Sequence, residues 1–359
     1  MFLLSIISKL SDPIRAGHWW KYKAAHILGF AYFYFYLIKL PLKESIIILL
    51  LSAVTIIGVA GLGYVINDLY DIEPDRLAGK RNRMERFSWP VRVLIMLTLV
   101  AVALLPWLYL KSNPWIWIFM GFEIFLFGIY AHPLTRLKER SLWGPICDAL
   151  YGHAVPVVIA CLTYQQYFEE VPYPVWPFFI VLLIWQFLKG MRNIFLHQME
   201  DHNADIASGM KTYTVKCGSK FVYRLITRLI LPLEWFSGSL LAYLLYLQAP
   251  FIGIGFGLFL LFYLLGHGLF RTTQTGAKNF HLNTYLYFLN DWYEDYFPWV
   301  FLLAMISVNW HYSALAAVHL LMFPETLGRI FKDFILAFKE ASLILLYKVL
   351  RPIKQKIAG

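Results

Sequence analysis

Apolar residues run in blocks of about twenty from one end of this 359-residue chain to the other, and a helix of that length crosses the hydrocarbon core of a bilayer. The blocks fall at 24–42, 45–67, 89–110, 114–131, 144–163, 174–197, 221–246, 250–270 and 296–322. They predict an all-α integral membrane protein with about nine transmembrane helices around a common interior. Residues 1–23 read as an N-terminal interfacial segment, with Trp19 and Trp20 at the headgroup level. Residues 24–323 form the polytopic membrane domain, and 324–359 read as an amphipathic basic tail on the membrane surface. The apolar stretch Phe2 to Ile7 is short and no basic residue precedes it, so it does not read as a secretory signal.

Composition supports this pattern. Apolar residues make up 59% of the chain and charged residues 15%, where a soluble domain carries about 25% charge. The net charge of +10 does not point to nucleic acid, because it follows the loops. Six Lys or Arg lie between Asp68 and Arg92, and Arg136, Lys138 and Arg140 follow the fourth span, whereas "TYQQYFEEVPYP" has none. By the positive-inside rule the N-terminus and the even-numbered loops are cytoplasmic. The tail conflicts with this, since nine spans place its basic residues outside. Either 296–322 is a hairpin broken near "NWHYS" or the tail lies on the outer surface; the nine-span reading is kept as the expectation. The three cysteines lack metal-ligand spacing.

Polar residues interrupt the pattern at two span ends. The second span runs into "INDLYDIEPDRLAGKRNR", Ile66 to Arg83, where Asp68, Asp71 and Asp75 stack along one face if the helix continues. The sixth runs into "HQMEDHNADIASGMKT", His197 to Thr212. There Asp201 and Asp205 are four apart, and the same spacing upstream adds His197, Asn193 and Lys189 to the stripe. Like charges so arranged call for a cation between them. Mg2+ takes oxygen ligands, typically one or two carboxylates with phosphate oxygens, so two such patches facing each other suit a diphosphate clamped by Mg2+. Asn67 supplies a further oxygen. Arg15, Lys21, Lys80 and Arg83, with Lys189, Asn193 and His197, are candidates for the remaining diphosphate contacts. One acidic helix end is ordinarily a solvated loop; two of matching spacing on one predicted side argue for a site.

These residues carry a resemblance. "NDLYDIEPD" resembles the NDxxDxxxD signature of the UbiA superfamily of intramembrane prenyltransferases, and "DHNADIASGMKT" its DxxxDxxxGxxT motif. "YAHPLTRLK", Tyr130 to Lys138, is similar to the family's YSxPPxRLK loop, and "RAGHWWKY", Arg15 to Tyr22, to the RPxHWxKN segment of one branch. The resemblance implies a nine-helix bundle with a central cavity, and Mg2+ as cofactor. It also implies transfer of an isoprenyl group from a polyprenyl diphosphate to a small acceptor, aromatic or otherwise lipid-soluble. It implies that Asn67, Asp68, Asp71, Asp75, Asp201 and Asp205 hold Mg2+ and diphosphate, that Arg136 and Lys138 contact the phosphates, and that Tyr130 lies near the allylic cation. Ala131 and Leu134 depart from the loop pattern, Ala16 and Tyr22 from the N-terminal one, and "KRNRM" replaces an Arg-Pro after the first motif. No metal ligand is lost, but no acceptor carries over from any one branch.

Glu123, Asp148, His153, Glu234 and His267 fall inside predicted spans, where ionisable groups pair or serve a function. Asp148 and His153 are placed to line an acceptor side of the cavity. "NDWYED", Asn290 to Asp295, lacks the motif spacing and reads as a cap or gate. Two other functions compete with prenyl transfer. A terpene cyclase on the same scaffold needs the same acidic clusters. A cation channel or transporter predicts acidic residues deep in the spans or on both sides, whereas here they gather on the side expected to face the cytoplasm.

Overall fold

The computed structural model describes residues 12–77, 79–168, 175–207, 209–258, 290, 292–332 and 335. Among the described residues the regular structure is entirely helical, as a chain in hydrocarbon requires when each backbone N–H and C=O must find its partner within the segment. The helices are α1 (Ala16–Ile38), α2 (Leu42–Tyr70), the short α3 (Ile72–Leu77), α4 (Trp89–Leu108), α5 (Pro114–Ala131) and α6 (Trp143–Gln165). They continue with α7 (Val175–Glu200), the short α8 (His202–Ala207), α9 (Ser219–Gln248), α10 (Phe297–Val308) and α11 (Ser313–Met322). By length and composition α2, α4, α5, α6, α7 and α9 can each cross a membrane. Residues 250–258 are helical; the rest of the expected 250–270 span, His267, Asp291 and most of the basic tail lie outside the described residues.

The first expected span begins earlier than its hydropathy indicated. α1 starts at Ala16 and is buried without interruption from Ala24 to Phe35, packing on α2, α6 and α10. It is a central helix, and its aromatic side chains, among them Phe30, Tyr32, Phe33, Tyr34 and Phe35, belong to the core. Trp19 faces the protein interior. It is buried, stacks on Tyr64 at 6.1 Å, and donates its indole N–H to the Ile14 carbonyl at 2.7 Å.

The 296–322 segment is a hairpin rather than one span. Asn309 leaves the helical region and its side chain accepts from the His311 N–H, ending α10, which continues without a break from a wide π turn at Trp292–Tyr296. α10 runs parallel to α1, with Phe297 against Phe30 and Phe301 against Phe33. α11 then returns antiparallel. The Tyr312 hydroxyl donates to Leu40 O at 2.7 Å, the Tyr32 hydroxyl meets His319 at 3.1 Å, and the Trp20 indole donates to Met322 O at 3.0 Å. The chain thus comes back to the side of α1 where Trp20 lies. This removes the conflict over the basic tail, which leaves from the same side as the other basic loops.

Two intramembrane charges are structural. Arg192 on α7 donates to both carboxylate oxygens of Glu234 on α9, at 2.8 and 3.1 Å, and to Asn290 at 2.9 Å, with both charged side chains fully buried. Removing one partner of such a pair leaves an uncompensated charge at a cost of about 3–5 kcal/mol. Glu234→Ala is therefore expected to lower the unfolding midpoint of the purified protein strongly, and Arg192→Met with Glu234→Met to recover much of the loss; thermal unfolding in detergent measures both.

Candidate active site

α2 does not carry its aspartates on one continuous face. It ends at Tyr70, and Asp71 sits at a break with φ −102° and ψ 5° before the chain turns into α3. Asp68 is left in the last turn of α2, fully buried and ion-paired with Arg15, whose Nε lies 3.2 Å from Oδ2. Asp71 receives the Lys138 ammonium, and the Arg136 guanidinium stands 3.6 Å away. The same ammonium reaches Asn67 Oδ1 at 3.4 Å. Asp75, on α3, accepts from the Asn82 amide at 2.8 Å. Arg15 and Arg136 both adopt left-handed backbone conformations, φ 53° and 37°, which costs a non-glycine residue about 1–2 kcal/mol; their ion pairs with the motif help hold them there.

The second motif repeats this geometry residue for residue. α7 ends at Glu200, Asp201 occupies the break, and α8 carries Asp205. Asp71 N–H donates to Asn67 O and Asp201 N–H to His197 O; Asp75 donates to Asp71 O and Asp205 to Asp201 O, both at 2.8 Å. Lys80 N–H closes onto Asp75 O as Met210 N–H does onto Asp205 O. Gly79 and Gly209, at φ 66° and 72°, make the left-handed turn that each closure needs. Seven positions past each final aspartate a side chain donates back to it, Asn82 to Asp75 and Thr212 to Asp205 at 3.1 Å. The likeness is thus one of backbone geometry, of which the sequence showed only the acidic spacing.

Both motifs open on one cavity of about 750 Å³. Of the residues expected in the site, Arg15, Asn67, Asp71, Asp75 and Lys80 line it from the first motif and its surroundings, and Tyr130, Arg136 and Lys138 from the loop after α5. His197, Asp201 and Asp205 line it from the second motif. Five expected residues are not in the lining. Asp68 is turned to Arg15. Lys21 lies 3.8 Å from Glu325. Arg83 donates to Asp12 at 3.2 Å, a carboxylate shared with Arg81 and Arg86, so that basic loop clasps the N-terminal segment. Lys189 and Asn193 leave the cavity because a row of every fourth residue winds by about 40° per step around a 3.6-residue helix. Three steps from Asp201, Lys189 is fully buried in the protein, and Asn193 accepts from Arg192.

Other lining residues were missed or only partly read. Lys23 lies two residues beyond Lys21, on the opposite side of α1, and faces the cavity. The first expected span begins only at residue 24, one position past it. Glu123 and Asp148 line the interior, as intramembrane charges hinted, whereas His153 is buried beside Lys23 at 3.3 Å outside the lining. Tyr151, which no motif marks, sits in a wide π turn at Leu150–Ala154, donates to Asp148 at 2.6 Å, and meets Tyr130 and Phe127 edge to face. Between mouth and interior the wall is largely apolar, with Ile56, Val59, Met120, Phe127 and Ile159.

The electrostatics of the mouth are those of a site made for an ion pair. Burial pushes the Asp205 carboxyl up, against its Thr212 hydrogen bond and with the charge of Asp201 adding to the rise. Burial lowers Lys138, against the pull of Asp71. A cation beside Asp205 and an anion beside Lys138 would each oppose these shifts and favour the charged forms. Among the described residues no three His, Cys, Asp or Glu are placed to hold a metal by themselves. The carboxylates at the mouth, Asp71, Asp75, Asp201 and Asp205, come in pairs from two sides, with the His197 imidazole beside Asp201. This set fits Mg2+, which takes one or two carboxylates and completes its shell with water and phosphate oxygens, and does not fit a closed nitrogen- and sulfur-ligated zinc site.

Comparison with known proteins follows the same line. The chain is similar in structure to a UbiA homologue from Archaeoglobus fulgidus solved with DMAPP and Mg2+. The two share 17% identity over 83% of this chain and 99% of that one, with a TM-score of 0.57. The same homologue with GPP and Mg2+ matches at 16% identity over 83% and 99%, TM-score 0.57. A digeranylgeranylglyceryl phosphate synthase matches at 16% identity over 84% and 97%, TM-score 0.52. At such identities the likeness establishes the fold. No protein of curated function matches the sequence. The family model of the UbiA prenyltransferase family, however, matches residues 27–292, from the middle of α1 to beyond both aspartate motifs. The chain is a multi-pass membrane protein that belongs to the UbiA prenyltransferase family.

Proposed function

We propose that this protein is an Mg2+-dependent intramembrane prenyltransferase that moves an isoprenyl group from a polyprenyl diphosphate to a small lipid-soluble acceptor and releases diphosphate. One observation carries the reading: two aspartate motifs of matching backbone geometry, from different helices, open on the mouth of a single cavity whose deeper wall is apolar and aromatic. Asp71, Asp75, Asp201 and Asp205, with Asn67, would hold the metal, and their number without cysteine favours a hard cation. Mg2+ so bound offsets charge on the diphosphate and makes it a better leaving group. Asp68, turned to Arg15, acts in this reading by holding the guanidinium at the mouth. Arg136 and Lys138 stand where negative charge grows as the C–O bond breaks, so they stabilise the transition state more than the bound donor. Tyr130 and Phe127 present ring faces and edges beside the cavity, which shield an allylic cation from water. Transfer to a second molecule and internal cyclisation share these steps, and the product distinguishes them. The basic loops around the mouth support a cytoplasmic orientation for it.

Three outcomes test the proposal. Asp71→Ala and Asp201→Ala are each expected to abolish turnover in protein that still folds, and EDTA to do the same to the wild type until Mg2+ is restored. Product analysis by mass spectrometry after incubation with prenyl diphosphates is the measurement, and full activity in either variant refutes the site. Arg136→Ala is expected to lower kcat roughly 10²-fold, the loss from one preorganised charge donor, and Arg136→Lys to fall short of wild type because it cannot bind bidentately. A wild-type kcat in Arg136→Ala reduces the residue to a topology signal. For orientation, Glu73→Cys in a Cys217→Ser background should react with an impermeant maleimide only in inverted vesicles; labelling of intact cells reverses the assignment.

A further inference from the structure

α6 contains a defect that its own sequence creates and another helix repairs. In a regular α-helix the Gly152 carbonyl accepts from the N–H of residue 156. Here residue 156 is proline, which has no N–H and whose ring clashes with the carbonyl four positions back. The helix is widened at this point, with the Val155 N–H reaching back five residues to Leu150 O in the π turn at Leu150–Ala154. The Gly152 carbonyl is met instead from α1. Lys23 Nζ donates to it at 2.9 Å and to His153 Nε2 at 3.3 Å. The fit is close. A Cβ on residue 152 would stand 2.9 Å from that ammonium, and one on Gly190 of α7 would stand 2.7 Å from Ala149 Cα, so the turn is gripped from two sides. On its cavity side the same turn carries Tyr151, whose hydroxyl donates to Asp148 at 2.6 Å and whose ring meets Tyr130 and Phe127 of α5.

We propose that Lys23 is a positioning residue: it supplies the donor that Pro156 withholds, and so fixes the π turn that sets Tyr151 against Tyr130 and Phe127 as a closed aromatic wall inside the mouth. The contact itself stands on geometry; its consequence for the reaction rests on the prenyl-transfer reading. A wall held in this way keeps water from the allylic cation until the acceptor takes it. Asp148, Glu294 and Glu123 attract the same ammonium, and charge balance alone would account for a lysine at this place. It would not account for a carbonyl left open by a proline, nor for the glycine that lets the ammonium reach it. Gly152 therefore separates the two roles: alanine there keeps the charge and displaces the contact. Besides Lys23 Nζ, only Asp148 Oδ1 at 3.8 Å lies within 4 Å of the added Cβ, so the backbone accepts the change once the ammonium moves.

Fluorine NMR of the purified full-length protein, with 3-fluorotyrosine in place of Tyr151, reads the turn directly and needs no turnover. Lys23→Met and Gly152→Ala should each shift the resonance by more than its linewidth, and in the same direction, since one removes the donor and the other pushes it off the carbonyl. A wild-type resonance in Lys23→Met overturns the proposal. So does a wild-type resonance in Gly152→Ala, which would reduce Lys23 to charge balance. Either variant decides if the other does not fold. The second measurement uses geranyl diphosphate with Mg2+ and no acceptor. Water then captures the cation: the C–O bond to diphosphate breaks, the water oxygen bonds the same carbon, its proton goes to solvent, and geraniol is released. Both variants should release geraniol about tenfold faster than the wild type, with donor affinity held within about twofold because the rim is untouched. An unchanged geraniol rate in a variant whose resonance has moved overturns the role given to the wall. Failure of the prenyl-transfer reading looks different: geranyl diphosphate does not bind with Mg2+ in any form of the protein, whatever the resonance does.

Discussion

Negative charge at the edge of a low-dielectric bundle has to be offset locally, and much of the architecture around the cavity follows from that requirement. The first aspartate motif lies where α2 leaves the apolar region, and it gathers cations from distant parts of the chain: Arg15 from the start of α1, Lys138 and Arg136 from the loop after α5. The price in backbone conformation is visible, since both arginines take left-handed φ values. These contacts tie three segments into one rim. The second motif has the same backbone but a different escort, with His197 at 3.7 Å from Asp201 and the Thr212 hydroxyl on Asp205. The rim is therefore electrostatically uneven, richer in fixed cations on the first-motif side. A metal diphosphate entering it would meet basic groups on one side and less fully offset carboxylates on the other.

The interior answers a different constraint. α1 is central, and an aromatic core built on Phe30, Phe33, Trp185, Phe297 and Phe301 supports its far side. The buried Arg192–Glu234 pair joins α7 to α9, so the helix that carries the second motif is held by charge as well as by packing. The α10–α11 hairpin closes on α1 through Tyr312, Tyr32 and Trp20. Support of this kind from packed helices holds the two motifs in place at the cavity mouth. Glu123 on α5 and Lys23 on α1 line the cavity that this support encloses.

The sequence by itself determined the class of the protein and the chemistry of its rim. Hydropathy of long period places helices without knowledge of their neighbours, because the bilayer imposes length and apolarity one segment at a time. Acidic spacing is equally local, so Asp71, Asp75, Asp201 and Asp205 could be read directly. Tertiary structure decided everything that depends on which way a helix turns or where it stops. The break at Asp71 sends Asp68 away from its neighbours; the winding of a four-residue row carries Lys189 and Asn193 off the cavity; and a 200° change of direction over two residues makes Lys23, and not Lys21, a wall residue. Asn309 turns one expected span into a hairpin by a single capping contact that hydropathy cannot register. Tyr151 acquires meaning only when α5 and α6 are set side by side, since no spacing along the chain encodes a contact between two helices.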